Sequence, residues 1–115
     1  MARRWLEFVE MAAFTRKLQA IASQDTLQAI QSDLIADPER WPIVKGTNGA
    51  RKGRVADPQS SRGKRGSLRY YYVYLNRHGR IYLLALYSKK EASDLSPEQK
   101  KAVAKVIALI QEEGS

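Results

Sequence analysis

The chain has no cysteine and only one histidine, His78. Without cysteine there can be no disulfide framework and no thiol chemistry, which is consistent with a reducing cytoplasm. One histidine and no cysteine leave the usual zinc arrangements without ligands. Ser60, Ser61 and Ser67 have no histidine base nearby in sequence. The twelve acids form no cluster of the two-magnesium nuclease kind. The glycine-rich pieces at 46–49 and 63–66 match neither a phosphate loop nor a dinucleotide fingerprint. Long apolar runs are missing as well. The longest, such as residues 81–87, fall far short of the roughly 20 needed to span a bilayer. The start runs from Arg3 and Arg4 straight to Glu7 and Glu10, so no signal peptide is expected. No metal, cofactor or membrane partner is expected.

Positive charge is abundant and concentrated. The formal net charge is +8 over 115 residues. Residues 51–69 hold Arg51, Lys52, Arg54, Arg62, Lys64, Arg65 and Arg69 against one acid, Asp57, a net +6 of that +8. Cations this dense repel one another unless a polyanion meets them, and nucleic acid is the usual one. The length fits one domain, residues 1–115, with a modest core.

Trp5, Leu6, Phe8 and Val9 suggest a first strand. Phe14, Leu18 and Ile21 recur at helical spacing, and Leu27, Ile30, Leu34 and Ile35 form the stripe of a second helix capped by Ser23 or Asp25. Asp37-Pro38 ends it. Gly46, Asn48 and Gly49 mark a turn before a strand at 51–56, which Gly53 weakens. Residues 57–66 read as a loop. Residues 68–75 and 81–87 are the strongest strands, and Gly79 supplies any positive φ in the hairpin between them. His78 is read as an exposed turn residue. Ser96-Pro97-Glu98-Gln99 opens a last helix, lined by Val103, Val106, Ile107 and Ile110, with Lys100, Lys101 and Lys105 pointing elsewhere. The order β-α-α-β-β-β-α gives an α+β domain, an antiparallel meander with helices packed on it.

Alternation puts Lys52 and Arg54 on one face of their strand. If Ala56 pairs with Ser67, Arg54 lies opposite Arg69 and Lys52 opposite Tyr71. If Leu75 pairs with Ile81, Arg69 lies opposite Tyr87 and Tyr71 opposite Ala85. The five residues Lys52, Arg54, Arg69, Tyr71 and Tyr87 then share one face at one end of the sheet. Val73, Leu75, Ile81 and Leu83 follow below them, with Val55, Leu68, Tyr70, Tyr72, Leu84 and Leu86 on the other face. Like charges opposite each other destabilise a sheet, so an Arg54–Arg69 pair points to an anion. The other reading is a solvated face whose cationic side chains spread into water.

This set suits phosphoryl chemistry on RNA without a metal. RNA brings its own nucleophile, the 2′-hydroxyl. The enzyme must take its proton, neutralise charge on the phosphate and hold the bases in line. Arginine clamps phosphate oxygens bidentately, an exposed tyrosine can stack a base, and lysine among cations can act as a base.

Three segments resemble the HigB-type toxins of the RelE superfamily: Gly46-Thr47-Asn48-Gly49-Ala50-Arg51-Lys52-Gly53-Arg54-Val55-Ala56, then Gly63-Lys64-Arg65-Gly66-Ser67-Leu68-Arg69-Tyr70-Tyr71-Tyr72, then Ile81-Tyr82-Leu83-Leu84-Ala85-Leu86-Tyr87-Ser88-Lys89-Lys90-Glu91. Asp94-Leu95-Ser96 and the closing helix continue the likeness, which runs from about Phe8 to the C-terminus. It implies a small RelE-like domain and a cytoplasmic toxin of a type II toxin–antitoxin system. It implies an mRNA interferase that cuts message in the ribosomal A site, leaving a 2′,3′-cyclic phosphate and a 5′-hydroxyl. A cognate HigA-type helix-turn-helix antitoxin would neutralise it. Carried over by position, Lys52 would be the base or an electrostatic helper. Arg54 and Arg69 would stabilise the transition state, and Lys89 or Lys90 would serve the leaving group. Arg51, Lys64 and Arg65 would grip RNA, and Tyr87 or Tyr71 would stack a base. Gly53 stands where the family has a larger residue, Ser67 where glycine is common, and Ser96 near the place of a RelE tyrosine.

A non-catalytic RNA- or ribosome-binding module could use the same basic face. A DNA-binding protein ranks below both, because no recognition helix is evident.

Overall fold

The computed structural model describes residues 6–57, 67–88 and 94–113. Its elements are β1 (Glu7–Glu10), α1 (Ala12–Ile21), α2 (Gln24–Ala36), β2 (Arg51–Ala56), β3 (Ser67–Leu75), β4 (Arg80–Ser88) and α3 (Pro97–Glu113). This is the β-α-α-β-β-β-α succession read from the sequence. β2, β3 and β4 form an antiparallel meander, and β1 joins its far edge parallel to β4, giving the order β1-β4-β3-β2. The helical hairpin α1–α2 carries the chain across one face of the sheet, α1 lying on β4 and α2 on β2. Apart from Asp57, the loop expected at 57–66 lies outside the described residues.

The helix ends follow from local chemistry. Ser23, not Asp25, is the N-cap of α2, and its N–H donates to Thr26 Oγ1 at 3.4 Å. The helix stops at Asp37, ahead of Pro38. At α3 the expected capping box forms: Gln99 N–H donates to Ser96 Oγ at 3.2 Å, and Ser96 N–H donates to Gln99 Oε1 at 2.8 Å. Between β3 and β4 a single 3-10 turn at Asn76–His78 ends on Gly79 in the left-handed region, φ 60°. His78 is exposed.

Both faces of the sheet are covered. On one, Phe14, Leu18, Ile30 and Leu34 pack on Tyr70, Tyr72, Ile81 and Leu83. On the other, Ile107 and Ile110 of α3 pack with Tyr71, Val73 and Leu84.

The β3–β4 register departs from the regular one at the turn end: Leu75 pairs with Arg80, not Ile81. Arg69 still faces Tyr87 and Tyr71 faces Ala85, but Tyr72 pairs with Leu83, so Leu84 is an extra residue on β4. A bulge inverts alternation beyond it. Ile81 and Leu83 therefore lie under the helical hairpin and Leu84 lies under α3, the reverse of the regular assignment. The pairings that build the basic end of the sheet lie above the bulge and keep their register.

Gly53 has a packing reason. A Cβ there would sit 2.4 Å from Tyr70 Cζ, so the missing side chain is what lets the Tyr70 ring lie across β2. Tyr70 is 0% exposed. We expect Gly53→Ala to cost about 1–3 kcal/mol through overpacking. In urea unfolding, Gly53→Ala combined with Tyr70→Leu should cost less than the two single changes summed. Additive costs would show that the ring does not need the space.

Candidate functional site

The basic face begins at the turn that launches β2. Gly46, Asn48 and Gly49 take positive φ values of 85°, 62° and 109°, as their side chains allow. Thr47 is fully buried, yet its hydroxyl donates to the Val44 carbonyl at 2.6 Å and accepts the Ala50 N–H at 3.0 Å. Val44 N–H donates to the Ala50 carbonyl at 2.7 Å, and Lys52 N–H to the Pro42 carbonyl at 3.2 Å. These bonds fix where the alternation of β2 starts, and so which of its side chains reach the site.

Arg51 is turned away from it. Its Nη1 donates to the carbonyls of Glu39 at 2.9 Å and Trp41 at 2.7 Å, and its guanidinium lies 3.6 Å from the Glu39 carboxylate. Tyr72 pins the same segment, donating to the Pro38 carbonyl at 2.8 Å. Arg51, expected among the RNA contacts, lies on the face of β2 away from Lys52 and Arg54. With two backbone bonds made, Arg51 straps residues 38–41 to the sheet.

On the opposite face of β2, Lys52 pairs with Tyr71 and Arg54 with Arg69, and Arg69 in turn pairs with Tyr87. The strand alternation puts these five residues together at one end of the sheet. Arg54 is exposed at the sheet edge, where it also borders a cleft of about 280 Å³ between α2 and β2. Arg69 is half-buried. Its Nη1 is shut off from solvent and has no hydrogen-bond partner among the described residues. A buried guanidinium nitrogen left this way is costly.

The tyrosines divide the work. Tyr71 is 1% exposed. The Tyr87 ring stacks on it at 5.5 Å and 17°, and the Tyr87 hydroxyl donates to the Tyr71 oxygen at 2.9 Å. Tyr71 is thus a buried support and not a surface for a base. Tyr87, half-buried above it, is the ring available for stacking. Burial pushes the Tyr87 hydroxyl well above its ordinary range, and the bond to Tyr71 adds to the shift.

Asp94 belongs to this face, a residue to which the sequence reading gave no role at the site. Its Oδ1 lies 2.9 Å from Lys52 Nζ. The hydrogen bond from Lys52 holds the carboxyl below the usual carboxylate range, with smaller contributions from Lys100 and Arg69. Asp94 comes two residues before the Ser96 cap. The cap was legible in sequence; the approach of the start of α3 to Lys52 is a tertiary fact with no periodic signal. Lys64, Arg65, Lys89 and Lys90 lie outside the described residues.

No family model matches the chain. The structure is similar to that of the E. coli toxin RelE, in a mutant form with two arginines replaced by alanine and in the free state. The TM-score is 0.55 at 10% sequence identity, over 76% of this chain and 86% of that one. This chain has a RelE-like fold. At that identity the likeness carries the architecture and leaves the activity to be argued from the residues. Among the described residues no helix is long and apolar enough to cross a membrane.

The buried tyrosines set an alkaline limit. Burial chiefly raises Tyr72 to about 12, and raises Tyr70 and Tyr87 further. An unfolded tyrosine ionises near its ordinary value of about 10. Above about pH 10 the unfolded chain therefore loses protons that the folded chain keeps, and stability falls with rising pH. The tyrosine contribution is complete below about pH 10. We expect the thermal midpoint to drop above about pH 10, with tyrosinate absorbance appearing together with unfolding. Titration of Tyr70, Tyr72 and Tyr87 near the ordinary value without unfolding would contradict this burial.

Proposed function

We propose that the protein is the toxin of a type II toxin–antitoxin pair, of HigB type, and acts in the cytoplasm as an mRNA interferase that cuts message in the ribosomal A site. The observation that supports it most is the pairing of Arg54 with Arg69 and of Lys52 with Tyr71 on one face of a RelE-like sheet. In the reaction, the RNA 2′-oxygen attacks the adjacent phosphorus and passes its proton to a solvent water. The bond to the 5′-oxygen breaks, leaving a 2′,3′-cyclic phosphate and a 5′-hydroxyl. Arg69 and Arg54 neutralise the nonbridging oxygens as their charge grows, the effect that dominates such reactions. Lys52 adds positive charge beside them, and in the RNA-free protein its Nζ donates to Asp94. Tyr87 stacks a flanking base and limits its motion. Lys64 and Arg65 hold RNA backbone, and Lys89 or Lys90 serves the leaving oxygen. A HigA-type antitoxin neutralises the toxin.

Expression should arrest growth, and primer extension on translating ribosomes should show new message ends. Arg69→Ala should lower cleavage about 100-fold to 1000-fold and relieve the arrest. New ends at the parental level from Arg69→Ala would misplace the centre. Ribosome binding with no new ends from the parent would favour the binding module over the enzyme.

A further inference from the structure

Asp94 is an anion set among cations on a face built to receive an anion. Lys52 Nζ is 2.9 Å from it, with side-chain exposures of 25% for Lys52 and 79% for Asp94. Arg69, whose Nη1 lacks a partner among the described residues, adds to the field on the Asp94 carboxylate, and so does Lys100. The α3 cap does not need Asp94, since Ser96 and Gln99 cap that helix between them. The carboxylate is also a weak base for the 2′-hydroxyl proton, because its cationic neighbours lower its proton affinity. A carboxylate and a phosphate offer the same thing to Lys52, a pair of anionic oxygens.

We propose that in the RNA-free protein Asp94 stands in for the scissile phosphate, and that RNA binds by displacing its carboxylate from Lys52. This rests on the RNA reading given above. The exposed carboxylate can swing into water at small cost, because exposed ion pairs are weak. An RNA phosphate then engages Lys52 together with Arg69 and Arg54, so that Lys52 is committed to the reaction only when RNA is present. Asp94 is a gating residue, acting through Lys52 without touching the reacting atoms. A phosphate beside Lys52 also has Lys100 within the same field, which extends the cationic track onto the first turn of α3.

The test is fluorescence anisotropy with a short single-stranded RNA oligonucleotide over a range of salt, for the parent, Asp94→Asn, Lys52→Gln, the double variant, and Glu98→Gln. Glu98→Gln removes the same charge from the first turn of α3. Asp94→Asn should bind about twofold to fivefold tighter, the worth of one exposed ion pair. Its salt slope should steepen by up to about 0.7, the single-strand value per phosphate. The gain should vanish in the Lys52→Gln background, and Glu98→Gln should gain less. Parental or weaker binding by Asp94→Asn would overturn the proposal, as would an equal gain without Lys52. Asp94→Ser gives the same readout should the asparagine variant not fold. Primer extension on translating ribosomes is run alongside. Tighter binding by Asp94→Asn with no cleavage by any variant supports the gate and sinks the interferase. Cleavage by the parent with unchanged Asp94→Asn affinity does the opposite.

Discussion

Two arginines facing each other across neighbouring strands are the constraint on which the rest of the molecule turns. Arg54 and Arg69 are direct cross-strand partners on the same face, and like charges so placed repel. The sheet must hold them there against that repulsion. Several contacts of β2 and β3 do so. The Tyr70 ring fits over Gly53 and fixes the approach of the two strands. The buried Thr47 hydroxyl closes the turn before β2. Arg51, from the other face of β2, straps the strand to residues 39 and 41. The cationic pair is therefore held by neutral packing and backbone bonds, so a phosphate can enter without disturbing the contacts that keep the strands in place.

The same geometry separates buried support from the cations that solvent reaches. One step along β2 moves from Arg51, whose guanidinium is engaged by backbone carbonyls, to Lys52, which reaches Asp94. Two steps along β3 move from Arg69 to Tyr71, a buried ring under Tyr87. The bulge at Leu84 lets β4 serve both layers. Above it, Tyr87 stays in line with Arg69. Below it, Ile81 and Leu83 turn toward the helical hairpin and Leu84 toward α3.

Much of this was legible in the sequence, for identifiable reasons. The β2–β3 register follows from pairing Ala56 with Ser67 at the base of one connection, and alternation carries it to Lys52 and Arg54. The capping box at Ser96 reads directly from residue type and spacing. The bulge did not, because Leu83 and Leu84 are chemically alike and either can face either core. Arg51 shows what composition does not carry: counted with its cationic neighbours it looks like one of them, yet alternation puts it on the other face of β2 from Lys52. Tyr71 and Tyr87 are the same residue type, and the stacking of one on the other decides which of them solvent can reach. Asp94 is distant from Lys52 in sequence, so the pair exists only once α3 has docked.

The most direct test of a shared anion site is a double-mutant cycle for RNA affinity with Arg54→Ala, Arg69→Ala and the double variant. If both guanidiniums hold one phosphate, the losses are non-additive, with a coupling of at least about 0.5 kcal/mol. Losses that sum to within about 0.3 kcal/mol would mean that the two arginines bind separately, and the account of a single phosphate centre would fail.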